Sequence, residues 1–264
     1  MRKKISSFDI IGSRENAVAI IEIPDEFKKS EKEMAEEIMR THKNVKSVLK
    51  KISERKGVFR TREYELLLGA KDTEVIHKES GCKFKLDPRK VYFSGREGTE
   101  RLRISKQVKS RETIMLMFSG VGPYGIIISK KQPSVKIISI EINPVAFEYM
   151  KENIRINKVN KRMIPVMGDV REKAKKWYGR CNRVIMPLPH ESLNFLTTAY
   201  RCLKDGSGII HLYVIEREEC IEEKVKGIIG ALVKKTKRKI NFKIRKILPY
   251  SPRTNKYCID IKLT

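Results

Sequence analysis

The stretch from Ile114 to Pro144, IMLMFSGVGPYGIIISKKQPSVKIISIEINP, constrains the fold more than any other part of the chain. Ile114–Phe118 is a short apolar run of the kind that forms a buried parallel strand. Ser119-Gly120-Val121-Gly122-Pro123 is a turn whose glycines permit unusual dihedrals and the close approach of a ligand. A helix is predicted from Tyr124 to Lys130 and a second strand over Val135–Ile140, with Glu141 at its carboxyl end. Strand, turn, helix and strand make a βαβ unit of an open α/β sheet. Ligands bind such sheets at the carboxyl ends of the strands, and an acid there suits a ribose diol.

The spacing of Gly120, Gly122 and Gly125 is compatible with a dinucleotide site. Pro123 and the downstream pattern fit a different cofactor better. Glu141-Ile142-Asn143-Pro144, then a helix, then Gly168-Asp169-Val170 is the layout of an S-adenosylmethionine site. Phe118, Ser119, Gly120, Val121 and Gly122 would face the methionine part. Glu141, flanked by Ile142 and Asn143, would take the ribose hydroxyls, and Asp169, with Val170 beside it, would reach the adenine amine. The bland alternative is a plain βαβ unit with a tight turn; three strand ends in register argue against it.

From Ile114 onward the β-α alternation continues. Helices are expected at Ala146–Asn157, Glu191–Cys202 and Cys220–Lys235, and strands at Met163–Met167, Asn182–Met186 and Gly208–Val214. Phe242–Leu248 and Tyr257–Lys262 read as a closing antiparallel pair. The expected class is α/β: a seven-stranded, mostly parallel sheet of methyltransferase type over residues 94–264, preceded by a smaller α+β domain over residues 1–93. In the smaller domain Phe8–Ile11 and Ala17–Ile23 read as strands and Ser30–Thr41 as a helix. Ala19, Ile21 and Ile23 form the wholly apolar face of the second strand, hence the expected core face.

Two basic segments stand out. Arg60 and Arg62 alternate in GVFRTREY, which predicts a strand with both guanidiniums on one face. Such a pair suits a phosphate or the acceptor oxygens of a base; a solvated strand face is the alternative. Arg96, Arg101 and Arg103 lie in SGREGTERLRI, where Ser94 or Thr99 caps a helix running from Glu100 toward Val108. These three arginines are candidates for holding a phosphate, and the segment leads directly into the cofactor strand. Lys and Arg outnumber Asp and Glu by 58 to 32, a net charge of +26. That excess points to a polyanionic partner, most simply nucleic acid, with a Lys-rich composition bias as the alternative. The five cysteines are widely spaced and form no CxxC pair, so neither zinc nor a disulfide framework is expected. No apolar run approaches the ~18 residues of a membrane span, and the start of the chain lacks a signal-peptide core. A cytoplasmic protein is expected.

Taken together, GVFRTREYELLLGAKDTEVIHKESGCKFKLD, VYFSGREGTERLRI, MFSGVGPYGIIISK, IEINPVAFEYMKENIRINKV, GDVRE, NRVIMPLP and PYSPRTNKYCIDIKL resemble a known family. It is that of the archaeal and eukaryotic tRNA (guanine-37 N1)-methyltransferases, and the resemblance runs from about Phe8 to the end. It implies methyl transfer from S-adenosylmethionine to N1 of the guanine 3′ of the anticodon, with the tRNA anticodon stem-loop as partner. The smaller domain would then share the tRNA and target-base contacts, and a monomer is expected. By the same resemblance Glu100 falls on the proposed general base, Arg60 on the arginine that contacts O6, and Tyr92 beside the target base. Glu100 can equally pair with Arg103 or cap a helix.

Three features depart from the family pattern. Leu116 stands where members often have an acid. Pro187-Leu188-Pro189 replaces the usual Asn-Leu-Pro, leaving Pro187 at the cofactor and Pro189 toward the base without a side-chain amide. The further N-terminal domain of many members has no room in this chain. The rival readings are a relative that also methylates C7 of the tricyclic wyosine precursor, an aminocarboxypropyl transferase using the same cofactor, and a non-catalytic RNA-binding protein with a relict cofactor fold.

Overall fold

The computed structural model describes residues 8–24, 30–55 and 57–264. A first sheet is built from β1 (Phe8–Gly12), β2 (Ala17–Ile21), β3 (Val45–Lys51) and β4 (Tyr64–Gly69), in that order. β2 and β3 are parallel, so a crossover is required, and helix α1 (Glu31–Thr41) supplies it. The expectation of a single core face on β2 is corrected here: all five residues are buried. Ala17, Ala19 and Ile21 pack with Met34, Ala35 and Ile38 of α1, while Val18 and Ile20 join the core shared with the larger sheet. Glu22, which marked the other face as polar, lies beyond the strand and is exposed.

The hairpin β5 (Val75–Glu79) and β6 (Cys82–Leu86) joins the two sheets' regions. The free edge of β6 is closed by side chains of α4 (Pro144–Ile156) and its C-cap. Asn153 Oδ1 accepts from Lys85 N at 2.7 Å and its Nδ2 donates to Lys85 O at 3.0 Å. Asn157 does the same for Lys83, at 2.9 and 2.6 Å. Spaced one helical turn apart, the two amides each satisfy an N–H and a C=O that an edge strand leaves open.

The large sheet contains β7 (Thr113–Leu116), β8 (Lys136–Glu141), β9 (Met163–Met167), β10 (Arg183–Met186), β11 (Gly208–Arg217), β12 (Ile240–Ser251) and β13 (Thr254–Leu263). Its order is β12-β13-β11-β10-β7-β8-β9, with every strand running the same way except β13, which is antiparallel to both of its neighbours. This is the seven-stranded sheet expected from the sequence. α2 (Gly98–Gln107), α3 (Pro123–Lys131) and α4 cover one face; α5 (Val170–Lys173), α6 (Leu196–Cys202) and α7 (Ile221–Thr236) cover the other. β7 shows why its run is unbroken: Ile114 and Leu116 enter one core, Met115 and Met117 the other. The helix expected over Glu191–Cys202 is shorter, a 3₁₀ turn at Ser192–Phe195 followed by α6, because Ser192 is drawn inward to donate its hydroxyl to Tyr213 O. All five cysteines are free thiols. Among the described residues no helix is long and apolar enough to cross a membrane.

Candidate active site

From β7 the chain moves outward through β8 and β9; from β10 it moves the other way through β11. The carboxyl ends of the neighbours β7 and β10 therefore flank a topological switch point, where open α/β sheets bind ligands. Phe118–Gly122 leaves β7 there, Glu141–Asn143 leaves β8, Asp169–Val170 follows β9 and Pro187 follows β10. The whole expected cofactor set is thus brought to one edge of the sheet.

The turn holds its shape at a cost. Phe118 has φ 56°, a left-handed conformation worth about 1–3 kcal/mol of strain in a non-glycine residue. It is held by an edge-on contact with Phe195, centroids 4.8 Å apart, and by the Ser119 N–H donating to Ile140 O. Gly122, at φ 88°, caps α3, and a Cβ there would stand 3.1 Å from Met150 Cγ. At Gly120 (φ 54°) a Cβ would meet only the carbonyl oxygen of Tyr92, at 3.8 Å, so it would fill open space above the turn. Glu141 Oε2 accepts from Gly120 N at 2.6 Å and Oε1 from Asn143 N at 2.8 Å. Burial pushes the Glu141 carboxyl up, against the pull of these backbone N–H groups. Asn143 caps α4 through Val145 N, and Asp169 caps α5 through Arg171 N at 2.7 Å while pairing with Arg171 Nη1 at 3.1 Å. Ile142 is half-buried, Val121 and Val170 are buried, and Pro187 and Pro189 are half-buried in the loop after β10.

On the other side of the turn stands Tyr92, 36% exposed. The Arg55 guanidinium lies 4.0 Å over its ring. Asp9, Arg55, Arg60, Arg62, Tyr64 and Tyr92 line one pocket. The strand expected through Arg60 and Arg62 is corrected: β4 begins only at Tyr64. Gly57 starts a turn in which Arg60 N donates to Gly57 O at 3.2 Å, and Arg60 takes φ 53°. Both arginines still reach the pocket, through a turn and an irregular segment. Arg62 Nε is buried and makes no hydrogen bond among the described residues. His190, in the loop after β10, has its pKa lowered first by partial burial and then by the positive field of Arg60 and Arg55.

The arginines of α2 behave differently from expectation. A 3₁₀ turn at Gly95–Glu97 precedes the helix, and neither Ser94 nor Thr99 caps it through a side chain. Arg101 is buried, donating to both oxygens of Glu79 and to Ser94 O. Arg103 donates twice to Glu100, at 2.7 and 2.8 Å, and to Asp260 at 2.6 and 3.1 Å. Their forks are spent inside the protein, so neither is placed to meet a phosphate. Arg96 pairs with Asp9 and is exposed. Glu100 is 4% exposed and also accepts from the Tyr213 hydroxyl. Farther down the same face His211, Cys258 and Asp260 cluster. Arg183 Nη1 lies 2.6 Å from His211 Nε2 and Arg103 holds Asp260, so two cations already occupy this trio. The result is a buried ion-pair network that pulls the Asp260 carboxyl far down.

A family model described as the TRM5/TYW2 methyltransferase domain matches residues 75–241, and one described as the TYW2 N-terminal domain matches residues 1–73. The chain belongs to the TRM5/TYW2 family. Among TRM5/TYW2 relatives it is 46% identical over 208 residues to the tRNA (guanine(37)-N(1))-methyltransferase Trm5b of Pyrococcus abyssi, a match covering 79% of this chain and 59% of that protein. It thus spans about three-fifths of that relative's length. It is 35% identical to the tRNA(Phe) (4-demethylwyosine(37)-C(7)) aminocarboxypropyltransferase of Methanocaldococcus jannaschii, over 88% of this chain and 91% of that one. The crystal structure of Pyrococcus abyssi Trm5b superposes with a TM-score of 0.87 at 40% identity, covering 98% of this chain and 76% of that chain. A complex of aTrm5 with tRNALeu gives 0.84 at 36% identity, covering 98% and 72%.

Sequence reasoning did not single out Arg55, Glu97, Tyr213 or Lys256. Glu97, at the N-cap of α2, and Glu100 and Arg103 within it are spaced three apart, and Lys256, Cys258 and Asp260 alternate on β13; those periods were visible. That the two faces meet is a tertiary fact.

Proposed function

We propose that this TRM5/TYW2 chain is an S-adenosylmethionine-dependent tRNA methyltransferase acting on N1 of guanine 37. The observation that carries the reading is the approach of the two half-sites: the opening above Gly120, at the cofactor edge, is bounded by the backbone of Tyr92, whose ring lines the arginine pocket. The residues fit the cofactor. Gly120 leaves room above the turn, Glu141 presents a carboxylate to a ribose, and Asp169 stands at the next strand end for the adenine amine. Bound there, S-adenosylmethionine supplies an electrophilic methyl group.

The remaining chemistry falls to the chain. Guanine N1 carries a proton that must leave as the new N1–carbon bond forms; Glu100 accepts it. Negative charge then builds on O6, and Arg60 stabilises it, with Arg62 lining the same pocket. Tyr92 offers a ring face beside the base, which must leave the stacked loop to enter. In this reading the region before α2 carries the tRNA and base contacts, and the large sheet carries the cofactor.

Two measurements bear on the separate halves. Glu141→Ala removes the ribose acceptor and is expected to weaken cofactor binding by about 1–3 kcal/mol in calorimetry; an unchanged affinity in the folded variant contradicts the site. Anticodon stem-loop binding is expected to weaken with salt at a log–log slope of about −3 to −4, corresponding to roughly four neutralised phosphates. A flat titration would assign the +26 charge to composition bias.

Two observations favour a second reading. The aminocarboxypropyl-transferring relative matches over 91% of its own length, and Pro187 offers no amide to hold a guanine. Aminocarboxypropyl transfer, or methylation of C7 in the wyosine precursor, is therefore the alternative outcome for the same cofactor edge. The mass of the modified nucleoside separates them.

A further inference from the structure

The segment from Glu97 into helix α2 faces strands β11 and β13 as a ladder. Arg103 meets Asp260, Glu100 meets Tyr213 (the register partner of Cys258), and Glu97 meets Lys256. β13 runs antiparallel to β11, with Lys256 opposite Ile215 and Thr254 opposite Arg217. The Glu97–Lys256 rung therefore lies nearest the strand ends that form the site, and the Arg103–Asp260 rung lies farthest from it. Both partners of the outer rung are 4% exposed, and Lys256 Nζ donates to Glu97 Oε1 at 2.8 Å. A buried ion pair of this kind is often no more stabilising than an apolar pair of similar volume. What this one does besides is end on Tyr92: the phenolic hydroxyl donates to the same Glu97 oxygen, at 3.1 Å.

We propose that Glu97 and Lys256 are positioning residues that act on the target base through Tyr92. The inference rests on the tRNA reading above. The buried pair fixes the hydroxyl end of Tyr92, and Arg55 packs on its ring, so the side chain is held at the mouth before the base arrives. A preset ring offers a stacking face without ordering cost at binding.

The test uses the full chain and an anticodon stem-loop with 2-aminopurine at position 37, whose fluorescence reports stacking without any reaction, alongside single-turnover methylation of the guanine form. Glu97→Ala, Tyr92→Phe and the apolar pair Glu97→Leu/Lys256→Met are each expected to slow transfer by about 10- to 100-fold, the scale of a small misplacement, and to lose the quenching. Adding Tyr92→Phe to Glu97→Ala is expected to cost nothing further. Cofactor affinity and melting temperature of the apolar pair should match the wild type, since that pair restores packing without anchoring the phenol. A folded Glu97→Leu/Lys256→Met protein that quenches like the wild type overturns the inference, as does a double variant whose losses multiply. A wild-type protein that quenches the probe but methylates no guanine contradicts the functional reading alone; the positioning inference then stands if the variants lose quenching.

Discussion

Glu100→Gln is expected to lower the single-turnover rate of methyl transfer by about 10²–10⁴-fold, with tRNA and cofactor affinities within a few-fold of the wild type. The carboxylate accepts three hydrogen bonds, two from Arg103 and one from Tyr213. A carboxylate offers about four such positions, so one remains, on the oxygen that accepts only from Arg103 Nε. Glutamine keeps the size but cannot take the N1 proton. The fold is expected to survive, because Asp260 keeps both of its contacts to Arg103; a thermal melt checks this. A folded Glu100→Gln protein with a near wild-type rate would move the base elsewhere, with Asp169 or bulk water the next candidates.

Arg60→Ala is expected to cost about 10²–10³-fold in the same assay, the scale of losing one donor aimed at a developing oxyanion. Arg60 is half-buried, sits in a left-handed turn and lines the pocket with Tyr92. Arg60→Lys should recover only part of the rate, because a lysine lacks the planar fork. An unchanged rate in Arg60→Ala would shift O6 stabilisation to Arg62, which lines the same pocket.

The large sheet was legible because its parallel strands are buried on both faces and read as apolar runs, and because their ends carry Gly120, Gly122, Glu141 and Asp169. The smaller sheet was less so. β2 is also covered on both faces, by α1 and by the core it shares with the large sheet, so its alternation told nothing about orientation. Arg60 and Arg62 alternate as strand residues do, yet Gly57 opens a turn that the period could not reveal. The arginines of α2 looked like anion ligands in sequence. Their partners, Glu79 and Asp260, come from distant strands, and only packing shows that the charges are compensated. For the same reason the buried Lys256 was invisible: nothing local marks a lysine whose carboxylate lies 159 positions away.

The most direct test of the central claim is nucleoside mass spectrometry of two tRNAs, one unmodified and one carrying the tricyclic wyosine precursor at position 37, each incubated with the purified chain and S-adenosylmethionine labelled in its methyl group. The account predicts labelled N1-methylguanosine, lost when guanine 37 is replaced by adenine. Transfer of the heavier, unlabelled aminocarboxypropyl group, or label arriving only on a wyosine precursor, would contradict it.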